Sequence, residues 1–529
     1  MKKHIIFHPV LLAFYPILAL YGTNFESIRF KQIFYSVGVT FITLVLLWLL
    51  LKYLVRDVDK TALIVSSFIL LFFFYGHFLN ALQNFLYSRL GVDSQAVIFL
   101  TSRPALYVSL AVWVVLFVFI VVLSIKSRSS FHNVTNFLNV FSVILIGFSV
   151  YEIAQNMFSA RASIEKISMV PEVEIGPQGD NDLPLHIADP VDIYYIILDG
   201  YARSDVMAEL YDYDNSEFVD FLQENGFYVA SQAHSNYNYT YISLTSTLNM
   251  DYLTKLTGYY EPTETSTFPV QYLYENNALT TLLKTNGYTV VSLPAPTGFL
   301  PELPADTQLI PPSRFNTFDI QLVNTTPLRS VLHDLPYELH REWIDFQFNY
   351  LPCLSYIGTP KFVLAHVLSP HPPFVFAANG EPINPDWEFS YYDADYFVKW
   401  YGHETYVEDY REQSVYVTSR VETMIQKLLM LDPVPVIVLQ SDHGPGSQHN
   451  GLNPDLTNVN ERFPILNAYY FPDQNYAALY PGISPVNSFR VVLNQLGATY
   501  PLLDDKSFWI NSELPYNPID ITERLTTQK

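Results

Sequence analysis

Three short segments hold residue types that could do metal and phosphate chemistry. Asp199-Gly200 closes the apolar run at 192–198, and Ser441-Asp442-His443-Gly444 follows another at 434–439. Two carboxylates and an imidazole delivered from rigid strand ends make half of a divalent-metal shell, and the glycine after each lets backbone approach closely. Taken alone, Asp-His-Gly at a strand end also fits a capped turn; joined to Asp199 it fits a ligand set. The third segment runs from Ser235 to Met250, where a polar aromatic loop gives way to Leu244 and Leu248 at helical spacing. Thr240 then stands near a helix N-terminus, where free N–H groups and the dipole favour an anionic phosphate. A threonine hydroxyl is a weak nucleophile unless a metal holds it as alkoxide. Without the metal residues, Thr240 is only an N-cap.

Those residues need elements to carry them. Buried strands are expected at 192–198, 288–293, 362–368 and 434–439, and helices at 216–225, 278–285, 408–430 and 486–496. Strand and helix alternate, which predicts an α/β domain with a largely parallel sheet, and ligands in such folds sit at the carboxyl ends of the strands. There is no phosphate-binding P-loop, no dinucleotide glycine fingerprint and no internal repeat.

Composition divides the chain in two. Of 529 residues, 50% are hydrophobic and 15% charged, and the net charge is −22. Residues 1–160 carry 11 Lys+Arg against 5 Asp+Glu, net +6; the other 369 carry 18 against 46, net −28. So acidic a domain argues against nucleic acid, whose phosphates require Lys and Arg. The single cysteine, Cys353, permits no intrachain disulfide framework.

Five apolar stretches, at 5–21, 34–55, 62–82, 105–125 and 137–154, approach the roughly 20 residues that span a bilayer. Seven basic residues (Lys2, Lys3, Lys52, Arg56, Lys60, Lys126, Arg128) mark one side and four (Arg29, Lys31, Arg89, Arg103) the other. The excess predicts a cytoplasmic N-terminus, integral placement in the plasma membrane and an extracytoplasmic domain after residue 154. Ionisable residues are scarce within the spans; His77 and Glu152 lie near ends, which favours anchoring over transport. The expected division is a five-helix membrane domain at 1–158, a proline-rich linker at 159–190 and an external domain at 191–529.

The order of strand-end Asp199, helix-opening Thr240 and Ser441-Asp442-His443-Gly444, behind five spans, resembles the alkaline phosphatase/sulfatase superfamily. It looks most like the membrane-anchored branch of lipoteichoic acid synthases and phosphoethanolamine transferases. The resemblance implies an alkaline-phosphatase-like sheet with helices on both faces and one divalent metal (Zn, Mn or Mg) held by Asp199, Thr240, Asp442 and His443. It implies Thr240 as nucleophile, His371 of Leu368-Ser369-Pro370-His371-Pro372-Pro373 as a histidine contacting the transferred group, and His449 as a second. Val367 stands where two-metal relatives carry an aspartate four residues before that histidine. His366 beside it reads as structural, and Arg203 reads equally well as a phosphate contact or an ion pair with nearby carboxylates. Tyr237, Tyr239 and Tyr241 fit packing or a pocket wall, and His234 and His403 fit the surface.

No formylglycine frame surrounds Cys353 or Thr240, which removes the usual sulfatase route. The implied activity is transfer of a phospholipid head group, phosphoglycerol or phosphoethanolamine, from a membrane phospholipid donor to a glycan or lipid acceptor through phospho-threonine. The alternatives are a phosphodiesterase or sulfatase-like hydrolase of extracellular glycans or esters and, in another class, a non-catalytic membrane scaffold or receptor.

Overall fold

The computed structural model describes residues 5–90, 103–168, 186–296, 300, 302–313, 315–385, 387 and 389–526. Most of the proline-rich stretch, 169–185, lies outside the described residues. The chain forms two compact units. One comprises Met1–Ala162 with Ser313–Pro336 and Pro385–Phe389; the other holds the remainder.

The first unit is built from α1 (His8–Thr23), α2 (Phe34–Val55), α3 (Val58–Leu90), α4 (Arg103–Lys126) and α5 (His132–Ser168). Among the described residues, four of these, α2 to α5, are long and apolar enough to cross a membrane. The expected fifth span is shorter. At 16 residues α1 measures about 24 Å, less than the ~30 Å hydrocarbon core. α5 continues through Ser168, so the first ten residues expected in the linker are helical.

The same unit recruits chain that the sequence reading placed in the external domain. A helix at Thr317–Asn324 and the turn Pro327–Ser330 pack on the apolar helices. Gly76 N donates to Thr325 O at 2.9 Å, and a Cβ at Gly76 would lie 2.1 Å from Asn324 O, so no larger residue fits. Tyr75 Oη and Ser330 Oγ are hydrogen-bonded at 2.8 Å, and Arg103 pairs with Asp334 at 2.8 Å.

The second unit is α/β. Its strands are β1 (Ile193–Leu198), β2 (Tyr228–Val229), β3 (Thr289–Leu293), β4 (Thr307–Gln308), β5 (Lys361–Val367), β6 (Val436–Gln440) and β7 (Asn467–Tyr470), with a separate hairpin of β8 (Phe508–Asn511) and β9 (Leu514–Asp520). The main sheet has the order β2-β7-β6-β1-β5-β3-β4. β6, β1, β5, β3 and β4 run parallel, while β7 and β2 add an antiparallel edge. Every residue of β1, β5 and β6 is buried, as strands covered on both faces must be.

One face of the sheet carries a core in which Tyr195, Ile197, Phe362 and Val438 meet Leu244, Leu248 and Phe489. Leu244 and Leu248 lie one turn apart on the helix Thr240–Asn249, and burying each side chain contributes about 1.5–3 kcal/mol. That burial is what fixes Thr240, at the helix start, relative to the sheet. The register of β1 on β5 is pinned at its beginning by buried Asp192, which accepts from Lys361 N at 2.9 Å and pairs with Lys361 Nζ.

Candidate active site

In register, Leu198 of β1 faces Val367 of β5, and Ile197 faces Gln440 of β6. The three central strands therefore end together, and Asp199, His371 and Asp442-His443 emerge at one edge of the sheet. Gly200, at φ +74°, turns the chain away after Asp199. A Cβ at Gly444 would sit 2.3 Å from Glu461 O, so the loop after His443 closes only with glycine.

His443 Nδ1 donates to Gly444 O at 2.9 Å, which aims Nε2 at the acids. Nε2 lies 3.7 Å from Asp199 Oδ1 and 3.4 Å from Asp442 Oδ2. Both of those oxygens are buried and, among the described residues, have no hydrogen-bond partner. One ligand atom from each of the three residues falls within 4.8 Å of the others. Buried carboxylate oxygens left unpaired are costly, and a divalent cation satisfies both at once. The donor set of two carboxylates and one imidazole fits such an ion.

Thr240 is the first residue of its helix rather than its cap; Tyr239 holds the cap position, and no side chain caps that helix end. The Thr240 hydroxyl points to His443 Nε2 at 3.1 Å. Thr240 thus joins the other three, and the purely capping role is removed. A cavity of about 550 Å³ opens beside it, lined among others by Tyr239, Tyr241, Asp199, His371 and Asp393.

The other expected residues separate. His371 N donates to Asp199 O at 3.0 Å, and its Nε2 lies 3.6 Å from Asp393 Oδ1. Burial alone would lower its pKa, but Asp199 and then Asp393 reverse this and raise it to about 9. His449 lies behind the Tyr239 ring, centroids 5.5 Å apart, with Nε2 3.3 Å from Asn238 Nδ2. Burial and then Arg462 lower it to about 3, so it is neutral. Arg203 forms a two-bond pair with Asp205, at 2.7 and 2.6 Å, the ion pair that is one of its two readings. Tyr237 packs in a core with its hydroxyl accepting from Leu253 N. His403 is exposed, while His234 is half-buried beside Arg203 and lowered to about 4, chiefly by burial.

No family model and no curated protein sequence matches the chain. Solved structures do. The C-terminal periplasmic domain of EcEptC from Escherichia coli, in complex with Zn, aligns over 65% of this chain and 96% of its own at 13% identity and TM-score 0.41. Lipooligosaccharide phosphoethanolamine transferase A from Neisseria meningitidis, an integral membrane protein, aligns over 92% and 95% at 14% identity and TM-score 0.39. A phosphonate monoester hydrolase of Agrobacterium radiobacter aligns over 60% and 80% at 12% and 0.40. The structural neighbours also include a phosphoethanolamine transferase EptC from Campylobacter jejuni and a 2-O GAG sulfatase. At these scores and identities they stand beside the site rather than explain it.

Three further residues contact the candidate site. His366, expected to be structural, bonds Asp199 Oδ2 through Nε2 at 2.8 Å. Asp393 and Arg462 form a pair at the cavity, Nη2 to Oδ2 at 2.5 Å, with Arg462 buried. Burial alone raises Asp199; His371, then His366 and His443, outweigh it and hold that carboxyl below its usual range. The one available signal for His366 is a histidine inside an otherwise apolar strand. Asp393 and Arg462 lie in loops and a short helix without such a mark.

Proposed function

We propose that the chain is a membrane-anchored transferase that moves a phospholipid head group, phosphoglycerol or phosphoethanolamine, to an external glycan or lipid. The observation that carries this is the Thr240 hydroxyl set 3.1 Å from His443 Nε2, beside two buried carboxylate oxygens that lack partners. Asp199, Asp442, His443 and Thr240 would hold one divalent metal, Zn, Mn or Mg. When bound, that ion supplies Lewis-acid activation of the hydroxyl and neutralises phosphate charge.

In the proposed reaction Thr240 loses its hydroxyl proton to solvent and Oγ1 forms the bond to phosphorus as the bond from phosphorus to the diacylglycerol oxygen breaks, leaving phospho-threonine that still carries the head group. His371 lines the cavity with its Nε2 3.6 Å from Asp393 Oδ1, a carboxylate that favours the protonated ring. It gives its proton to the departing oxygen and later takes one from the acceptor hydroxyl as the acceptor oxygen bonds phosphorus and the bond from phosphorus to Thr240 Oγ1 breaks; Oγ1 regains a proton from solvent, which restores both groups. His449, neutral and packed behind Tyr239, orients the Asn238 loop. The donor is a lipid, which accounts for a catalytic unit carried on apolar helices, and the distribution of basic residues supports a cytoplasmic N-terminus and an extracytoplasmic domain.

The test is mass spectrometry of the Thr240 peptide after the full-length protein meets vesicles of phosphatidylglycerol or phosphatidylethanolamine. A mass increment of phosphoglycerol or phosphoethanolamine on Thr240 is expected. An unmodified peptide with released free head group would point to the hydrolase instead.

A further inference from the structure

The segment Asn458-Val459-Asn460-Glu461-Arg462 forms a four-residue helix, Val459–Arg462, whose last two residues carry opposite charges and are both buried, at 0% and 1% exposure. Taking a charge out of water costs several kcal/mol unless it is paired and hydrogen-bonded. Each of these two is compensated by site loops.

Glu461 holds the loop that bears His449. Its Oε1 accepts from Ser447 N at 2.8 Å and from the Tyr211 and Ser447 hydroxyls, and its Oε2 accepts from Gln448 N at 2.8 Å.

Arg462 reaches three other parts of the site. Nε and Nη2 donate to Asn238 O at 3.0 and 2.7 Å, two residues before Thr240. Nη1 donates to Gly444 O at 3.3 Å, the same carbonyl that fixes the His443 ring. Nη1 and Nη2 bond the two oxygens of Asp393 at 3.2 and 2.5 Å, and Asp393 in turn lies 3.6 Å from His371 Nε2. The guanidinium also sits 5.9 Å from the Tyr239 ring centroid.

A guanidinium has five N–H donors, and these five bonds employ all of them. Arg462 therefore has no donor left for a phosphate, although Nη2 stands only 3.4 Å from His443 Nε2. We infer that Arg462 is a positioning residue that sets Thr240, His443 and, through Asp393, His371 relative to one another. A lysine cannot replace it, because one ammonium lacks the planar fork needed to serve three loops at once.

This inference rests on the proposed transfer to Thr240. The experiment uses full-length protein in detergent micelles with labelled phosphatidylethanolamine or phosphatidylglycerol, comparing wild type, Arg462→Lys, Asp393→Asn and the double variant. Read out are the rate of Thr240 labelling, its dependence on lipid concentration, metal content and Tm. The expected result for each single variant is a labelling rate lowered by roughly 100-fold, the scale of small misplacements, with half-saturating lipid nearly unchanged and metal retained. The double variant should be no slower than the slower single variant, since both act on one unit.

If Arg462→Lys fails to fold, Asp393→Asn decides alone. Variants that fold, hold metal and label Thr240 at the wild-type rate overturn the inference. A wild type that never labels Thr240 overturns the transfer reading and this inference with it.

Discussion

His366 and Asp199 are joined ring nitrogen to carboxylate at 2.8 Å, with both side chains only 2% exposed. The bond occupies Oδ2 and leaves Oδ1 facing His443. His366 thereby orients a candidate metal ligand without being one. His366→Ala is expected to weaken metal affinity by roughly 10–100-fold, as loss of such outer partners does. Titration of the apoprotein with Zn, Mn and Mg measures it, and wild-type affinity in all three would refute the role.

Thr240→Ala should abolish the covalent adduct, while Thr240→Ser keeps a hydroxyl in place and should retain it at a reduced rate. Intact-mass measurement after exposure to phospholipid vesicles distinguishes them. An adduct persisting in the alanine variant would place the nucleophile elsewhere.

Gly444→Ala introduces a Cβ 2.3 Å from Glu461 O and 3.0 Å from Arg462 O, both backbone atoms that yield only by moving the loop. Overpacking of this kind costs about 1–3 kcal/mol. A lowered Tm together with reduced metal content is expected; an alanine variant with wild-type values of both would show that the loop is not so tightly held.

Asp409 lies on the helix His403–Leu428, where burial, then Glu408 and Glu412, raise its carboxyl from 3.8 to about 6. A raised carboxylate pKa means that the folded state binds the proton more tightly, so the ionised group detracts from stability above pH 6 and the loss is relieved as pH falls towards 4. Asp409→Asn should raise Tm at pH 7.5 by a few degrees at most, because Asp409 is only partly buried. The gain should vanish below about pH 4. Thermal melts across pH 4–8 test the sign, and a gain that grows in acid would contradict it.

How much of this is legible in the sequence depends on how local the cause is. Asp199, Asp442 and His443 follow apolar runs that can only be buried strands, and Thr240 precedes Leu244 and Leu248 at helical spacing. Each therefore sits at a boundary that neighbouring residues announce. The four expected strands differ from expectation by at most two residues at an end, because their burial is written in their side chains, whereas β2, β4, β7, β8 and β9 are not among those expected. His366, Asp393 and Arg462 are set by other things. His366 depends on the register that aligns β5 with β1, and the Asp393–Arg462 pair joins positions 69 residues apart. Arg203 shows the converse, since a carboxylate two residues away claims it before any site can.

The recruitment of Ser313–Pro336 and Pro385–Phe389 into the unit of apolar helices bears on how the protein is made and cut. A ribosome finishes α5 about 145 residues before it reaches Ser313, so those helices are made well before the chain that Gly76 and Arg103 later bond. Severing the chain in the proline-rich stretch, the natural place to liberate the second unit, separates the helices from a segment that packs on them. Such a fragment uncovers Phe318 and Leu322, which pack with Ile17, Tyr21 and Ile33 in the intact chain, and replacing those two by polar residues is the change that should keep it in solution.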